Sequence, residues 1–104
     1  MKREVIFAPE AQEDLFRLYD FIAARSGAER ARAYTERVTL YCVDFANFPE
    51  RGTRRDDLRP GLRIVGFERR IAIAFHVATD RVTIDRVLYG GRDWETLLGD
   101  SDDK

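Results

Sequence analysis

From Leu62 to Tyr89 the apolar residues fall at alternate positions, and this period of two constrains the fold more than any other feature. Strand side chains alternate between faces, so "LRIVGF" (62–67), "RIAIAFHVA" (70–78) and "RVTIDRVLY" (81–89) read as three strands. Only the turns "ERR" (68–70) and "TDR" (79–81) separate them, which is too little chain for a parallel crossover. The three must form an antiparallel meander. In the middle strand Ile71, Ile73, Phe75 and Val77 share one side and need a covering layer. Ala72, Ala74, His76 and Ala78 share the other, which reads as an open, shallow face. In the last strand Val82, Ile84, Arg86 and Leu88 fall on one side and Val87 and Tyr89 on the other, as in a central strand buried on both faces.

The first half of the chain keeps a different period. "REVIFA" (3–8) is a short strand, and Pro9 then opens a helix, where its missing N–H costs nothing. Ala11, Leu15, Leu18, Tyr19 and Ile22 make an apolar stripe that ends at Gly27, a C-terminal cap. A second helix runs from Ala28 to Asn47 on the stripe Ala31, Tyr34, Val38, Tyr41, Cys42 and Phe45, and stops before Pro49. "ERGTRRDDLRPG" (50–61) is a loop. The order β-α-α-β-β-β makes an α+β domain, a helix hairpin packed on a twisted antiparallel sheet. Residues 1–99 form this single domain, and 100–104 are an acidic, frayed tail.

Composition narrows the chemistry. One Cys and one His provide no metal site, and nothing in the chain calls for a cofactor. No apolar stretch is long enough to span a membrane. The N-terminus lacks a secretory signal and Cys42 is unpaired, so a reducing cytoplasm is expected. Of 18 basic residues only Lys2 and Lys104 are lysine. Residues 51–70 hold seven arginines against Asp56, Asp57 and Glu68, a basic segment in a chain of net charge −1.

Three segments, "FAPEAQEDL" (7–15), "RRDDLRPGLRIV" (54–65) and "VTIDRVLYGGRDWETLL" (82–98), together with the element order, resemble the RelE/ParE superfamily of toxins from type II toxin–antitoxin operons, and ParE most of all. The resemblance implies a partner, a ParD-like antitoxin with a DNA-binding part and a segment that folds around the toxin. It implies a target too. ParE-like members are reported to block DNA gyrase by trapping its cleavage complex with DNA, whereas RelE-like members cut messenger RNA on the ribosome.

Residue chemistry bears on that choice. Cleaving RNA through its 2′-hydroxyl needs a base, an acid and cations for the phosphorane. Arg54, Arg55, Arg59, Arg63 and Arg86 supply cations, but arginine does not give up its proton. A nuclease here would rely on Arg63, His76, Arg86 and Tyr89, and the tyrosine is a slow base at neutral pH. RelE-like nucleases add lysines or a glutamate–histidine arrangement around this face, and this chain has no lysine there. The expectation is therefore a non-catalytic toxin that binds gyrase, reads no DNA or RNA sequence directly and stays off membranes. The alternative is a ribosome-dependent endonuclease.

For binding, Gly90-Gly91 turn the chain sharply and display Arg92, Asp93 and Trp94, with a short helix expected from Trp94. The resemblance implicates this region in gyrase inhibition. Phe16, Phe21 and Leu40 lie outside the core stripes and are candidate antitoxin contacts, and Arg54, Arg55 and Arg59 are candidates to receive its acidic residues. Plainer readings stand beside these. Arg63 and Arg86 pair with Asp85 or Asp93, "RRDD" cancels its own charge, His76 bonds a neighbour, and the three apolar residues widen the core stripe.

Overall fold

A computed structural model describes residues 3–90 and Leu98. Along the chain come β1 (Glu4–Phe7), α1 (Pro9–Ser26), α2 (Ala28–Val43), a 3-10 turn (Asp44–Ala46), β2 (Thr53–Arg54), β3 (Arg63–Phe67), β4 (Ile71–Val77) and β5 (Arg81–Tyr89). The expected order holds, with the two-residue β2 added inside the expected loop. Gly52 precedes it at φ 67°, and a Cβ there would overlap the carbonyl of Ile64, so only glycine lets β2 lie this close to β3.

Gly27 is the one residue between the helices, at φ 97°, and its N–H donates to Ala23 O at 3.0 Å. α2 ends at Val43 rather than at Asn47, because the chain tightens into the 3-10 turn and drops Phe45 into the core. Arg51 fastens that turn. Its guanidinium pairs with Asp44 and lies over the rings of Tyr41, Phe45 and Phe48.

The sheet order is β1-β5-β4-β3-β2. The meander is antiparallel as expected, but β1 joins the far side of β5 in parallel, Val5 opposite Val82 and Phe7 opposite Ile84. β5 is thus an internal strand. Its two faces differ from the simple alternation read above, because Ala74 pairs with Arg86 while Phe75 pairs with Ile84. Asp85 is the extra residue of a β-bulge, and one extra residue exchanges the faces of everything beyond it. Val82, Ile84 and Val87 therefore join a single cluster on the helix side, and Leu88 belongs to the opposite face.

The main core lies between hairpin and sheet. Leu18, Val38, Cys42 and Phe45 meet Ile71, Ile73, Phe75, Val82 and Ile84. Each large apolar side chain buried here contributes about 1.5–3 kcal/mol. Burial also pushes the Cys42 thiol up to about 12, which leaves it an inert apolar packer. The other face is not the open surface expected from its small residues. Leu62, Ala74, Leu88 and Leu98 form a second buried cluster, flanked by Leu58 and Ile64. The polar loop folds its own leucines back over the sheet, and Leu98 arrives from the C-terminal segment.

The β3–β4 turn carries strain. Glu68 and Arg69 both have positive φ, 52° and 63°, and Arg70 N–H donates to Phe67 O at 3.2 Å. This is the primed hairpin geometry that favours Asn-Gly. Glu68 is held by Arg37, which bonds both its carboxylate oxygens. Arg69→Gly should relieve the second left-handed residue and raise stability by about 1 kcal/mol, or roughly 5 °C in melting temperature. An unchanged or lower melting temperature would show the turn to be unstrained.

Candidate functional site

The four residues expected of a nuclease do not meet. Tyr89 and Arg63 lie opposite Ile71 and Phe75, the helix-facing residues of β4, and those partners are about 13 Å apart along the strand. Tyr89 packs against Phe21 with ring centroids 5.2 Å apart. Arg63 donates through Nε to Arg51 O at 3.0 Å. His76 is exposed, next to the bulge, with Nδ1 2.8 Å from Asp85 Oδ2. An ionised carboxylate only accepts, so in this contact Nδ1–H is the donor.

Arg86 is spoken for. It holds Asp14 of α1 through two bonds, Nε to Oδ2 at 2.8 Å and Nη2 to Oδ1 at 2.9 Å. Asp14 Oδ2 also accepts the backbone N–H of Val87 at 2.9 Å. One buried carboxylate therefore ties α1 to the residues just after the bulge and holds the Arg86 guanidinium above its ordinary pKa. The partner of Arg86 is thus Asp14 rather than Asp85, and Asp93, the other partner considered, lies outside the described residues. Asp14 was legible only as an acid near a helix start.

The basic loop largely cancels itself. Arg54 contacts Asp56 at 3.2 and 3.1 Å, and Arg55 contacts Asp57 at 2.9 and 2.8 Å. The Gly61 N–H and then Arg54 hold the Asp56 carboxyl below its ordinary value, and Arg55 does the same for Asp57. Arg59 donates to Leu98 O at 3.2 Å, so it clasps the C-terminal segment.

The apolar candidates do stand out. Phe16 is 69% exposed, Leu40 63% and Phe21 40%. Val43 and Phe48 are exposed as well, which sequence reasoning missed. Phe21 borders a groove at the closed end of the hairpin, lined by Tyr34, Tyr89, Arg25, Arg30 and Arg70 among others. Only the α2 part of its lining left a signal in the sequence. Arg30, Ala33, Tyr34 and Arg37 follow helical spacing along one stripe of α2. Arg92, Asp93 and Trp94, with the helix expected from Trp94, lie outside the described residues. Among the described residues no group of acidic, His or Cys side chains would hold a metal, and no helix is long and apolar enough to cross a membrane.

Comparison with known proteins decides the family. The family described as "ParE toxin of type II toxin-antitoxin system, parDE" matches residues 5–94. The chain belongs to the ParE toxin family. A solved chain from the chromosomal ParDE toxin–antitoxin system of P. aeruginosa shares the fold, with TM-score 0.75 and 21% identity over 86% of this chain and 98% of that one. A chain of the RelBE2 toxin–antitoxin complex of Mycobacterium tuberculosis superposes with TM-score 0.61 and 18% identity, covering 86% of this chain and 99% of that one. No curated protein matches the sequence. The ParE fold here, a helix hairpin on a five-stranded, mostly antiparallel sheet, is thus shared with a RelBE chain as well as a ParDE one.

Proposed function

We propose that this ParE-family toxin acts by holding DNA gyrase in the cytoplasm rather than by cutting RNA, without a cofactor, and that a ParD-like antitoxin neutralises it. The observation that carries this reading is the dispersal of proton-transfer groups. Arg86 is committed to Asp14, Arg63 to a backbone carbonyl and Tyr89 to the helix side of the sheet, so Arg63, His76, Arg86 and Tyr89 do not face one point. Arg92, Asp93 and Trp94 are assigned the gyrase contact, on the strength of the family resemblance. The antitoxin is supported by the solved relatives, which come from a ParDE and a RelBE toxin–antitoxin system, and by the exposed Phe16, Phe21 and Leu40.

One observation favours the rival endonuclease. His76 and Asp85 form a pair with the geometry of a general base and its orienter. Expression of the chain without antitoxin separates the two. Gyrase-dependent DNA breaks and SOS induction are expected, with His76→Ala as toxic as the parent and the Arg92→Ala, Trp94→Ala double variant harmless. Cleaved transcripts with intact DNA, and a loss of roughly 10²–10⁴ in cleavage on His76→Ala, would instead establish the nuclease.

A further inference from the structure

Of the described arginines, only Arg25, Arg30, Arg69 and Arg70 have neither an ion pair nor a side-chain hydrogen bond. The rest are committed, some to carboxylates, as Arg17, Arg32 and Arg81 are, and some to carbonyls, as Arg3 and Arg59 are. The four lie at one end of the molecule and all are exposed. Arg25, Arg30 and Arg70 border the groove at the closed end of the hairpin. Arg69 and Arg70 border a hollow of about 250 Å³ on the far face of the sheet, with Ile64, Gly66 and Gly90. Arg70 is common to both, so the four make one continuous cationic rim. Glu68, the acid of the β3–β4 turn, is already taken by two bonds from Arg37 and neutralises none of them. Like charges gathered in this way repel one another and favour a polyanion.

The backbone of the turn points the same way. Arg69 sits at φ 63°, a position that glycine would fill without strain. Strain of this kind is retained where a side chain has work to do, and here it displays an arginine at the tip of the turn. The aromatic residues nearby limit what the rim can hold. The Phe21 ring is covered by Arg25, 4.3 Å from its centroid, and packs against Tyr89, so it is no bare platform on which a base could stack. The cations are therefore left to meet phosphates rather than bases.

We propose that the rim of Arg25, Arg30, Arg69 and Arg70 grips the sugar–phosphate backbone of duplex DNA, whatever its sequence. The guanidinium fork matches phosphate oxygens, and each contact releases a condensed counterion, so four exposed contacts add up. Four exposed pairs with protein carboxylates would be worth little. Gly90 borders the same hollow as Arg69 and Arg70, and Arg92 and Trp94, to which the gyrase contact is assigned, follow it by two and four positions. The DNA gripped in the cell is then the segment that gyrase itself holds. That placement rests on the gyrase reading, whereas the affinity of the rim for DNA does not.

The test titrates the full chain against a fluorescently labelled DNA duplex at several salt concentrations. The logarithm of the binding constant should fall against the logarithm of salt with a slope of about −3.6, if each arginine meets one phosphate, and a duplex of unrelated sequence should give the same slope. Arg69→Gly with Arg70→Gln should bring the slope to about −1.8 and weaken binding by about tenfold at about 50 mM salt. The melting temperature of that variant should not fall, because glycine suits the turn, and this excludes misfolding as the cause. Arg25→Gln with Arg30→Gln should act alike, and Arg54→Gln, which removes an arginine already paired with Asp56, should change affinity by less than about twofold. A parent slope near zero, or turn variants that bind duplex like the parent, would overturn the proposal. Single-stranded RNA bound more tightly than duplex, with the same sensitivity to the turn variants, would give the rim to RNA and overturn it too. So would turn variants that bind duplex normally but lose affinity for the protein encoded by the adjoining gene. The gyrase reading is judged apart, by gyrase-dependent DNA breaks on expression. None from the parent ends that reading whatever the slope. About tenfold fewer from the turn variant than from the parent would support the placement of the DNA, and equal numbers would overturn it.

Discussion

Asp14→Ala should cost the fold about 3 kcal/mol, or roughly 15 °C in melting temperature for a domain of this size. The carboxylate is 4% exposed and receives three hydrogen bonds, two from Arg86 and one from the Val87 N–H. Removing it leaves a backbone donor buried without a partner and a guanidinium only 23% exposed, and neither recovers its hydration in full. The figure sits at the lower end of the range for broken buried pairs because Arg86 keeps that access to water. Asp14→Asn should lie between, since an amide oxygen accepts but carries no charge. The double change Asp14→Leu, Arg86→Met should cost less than Asp14→Ala alone, because no unpaired charge remains. Urea unfolding of the four chains would settle the point. An Asp14→Ala chain within about 0.5 kcal/mol of the parent would mean that the bulge needs no anchor.

Leu98→Ala should cost a similar amount, about 3 kcal/mol, and for a different reason. Leu98 is 1% exposed and completes the cluster of Leu62, Ala74 and Leu88 on the sheet face away from the helices. Truncating it removes apolar contact and leaves a cavity that Ala74, already the smallest wall, has no way to fill. The consequence for function is practical. A truncation that removes residues 92–104 would take away both the proposed gyrase contact and a core side chain, so lost toxicity would be ambiguous. Substitution at Arg92 and Trp94 with Leu98 retained keeps the two effects apart. If Leu98→Ala melts within about 1 °C of the parent, the second cluster contributes nothing to stability.

The meander and the hairpin were legible because period two and period 3.6 are both written in apolar residues, and because Gly27 and Pro49 punctuate the helices. What escaped was whatever one residue can change without altering that pattern. The bulge at Asp85 adds a position without adding a signal, so Val87 was placed on the wrong face. β2 is two polar-flanked residues, too short for any period. Parallel pairing of β1 with β5 joins strands more than seventy residues apart, a distance over which local spacing is silent. At the site, exposure of Phe16, Phe21 and Leu40 could be read from their absence from the stripes, and the self-pairing of "RRDD" from two cations followed directly by two anions. The groove was missed because its arginines come from α1, α2 and the β3–β4 turn, and only folding brings them together.

Gly27 alone separates one helix from the next, so the hairpin has no slack with which to open or close. A partner that reaches its closed end finds the apolar lining already built, and the loss of freedom on association falls almost wholly on that partner. The toxin would then act as a rigid mould. Mutations that stiffen the incoming segment should slow its release, while lengthening the one-residue link should loosen the grip without touching a single contact.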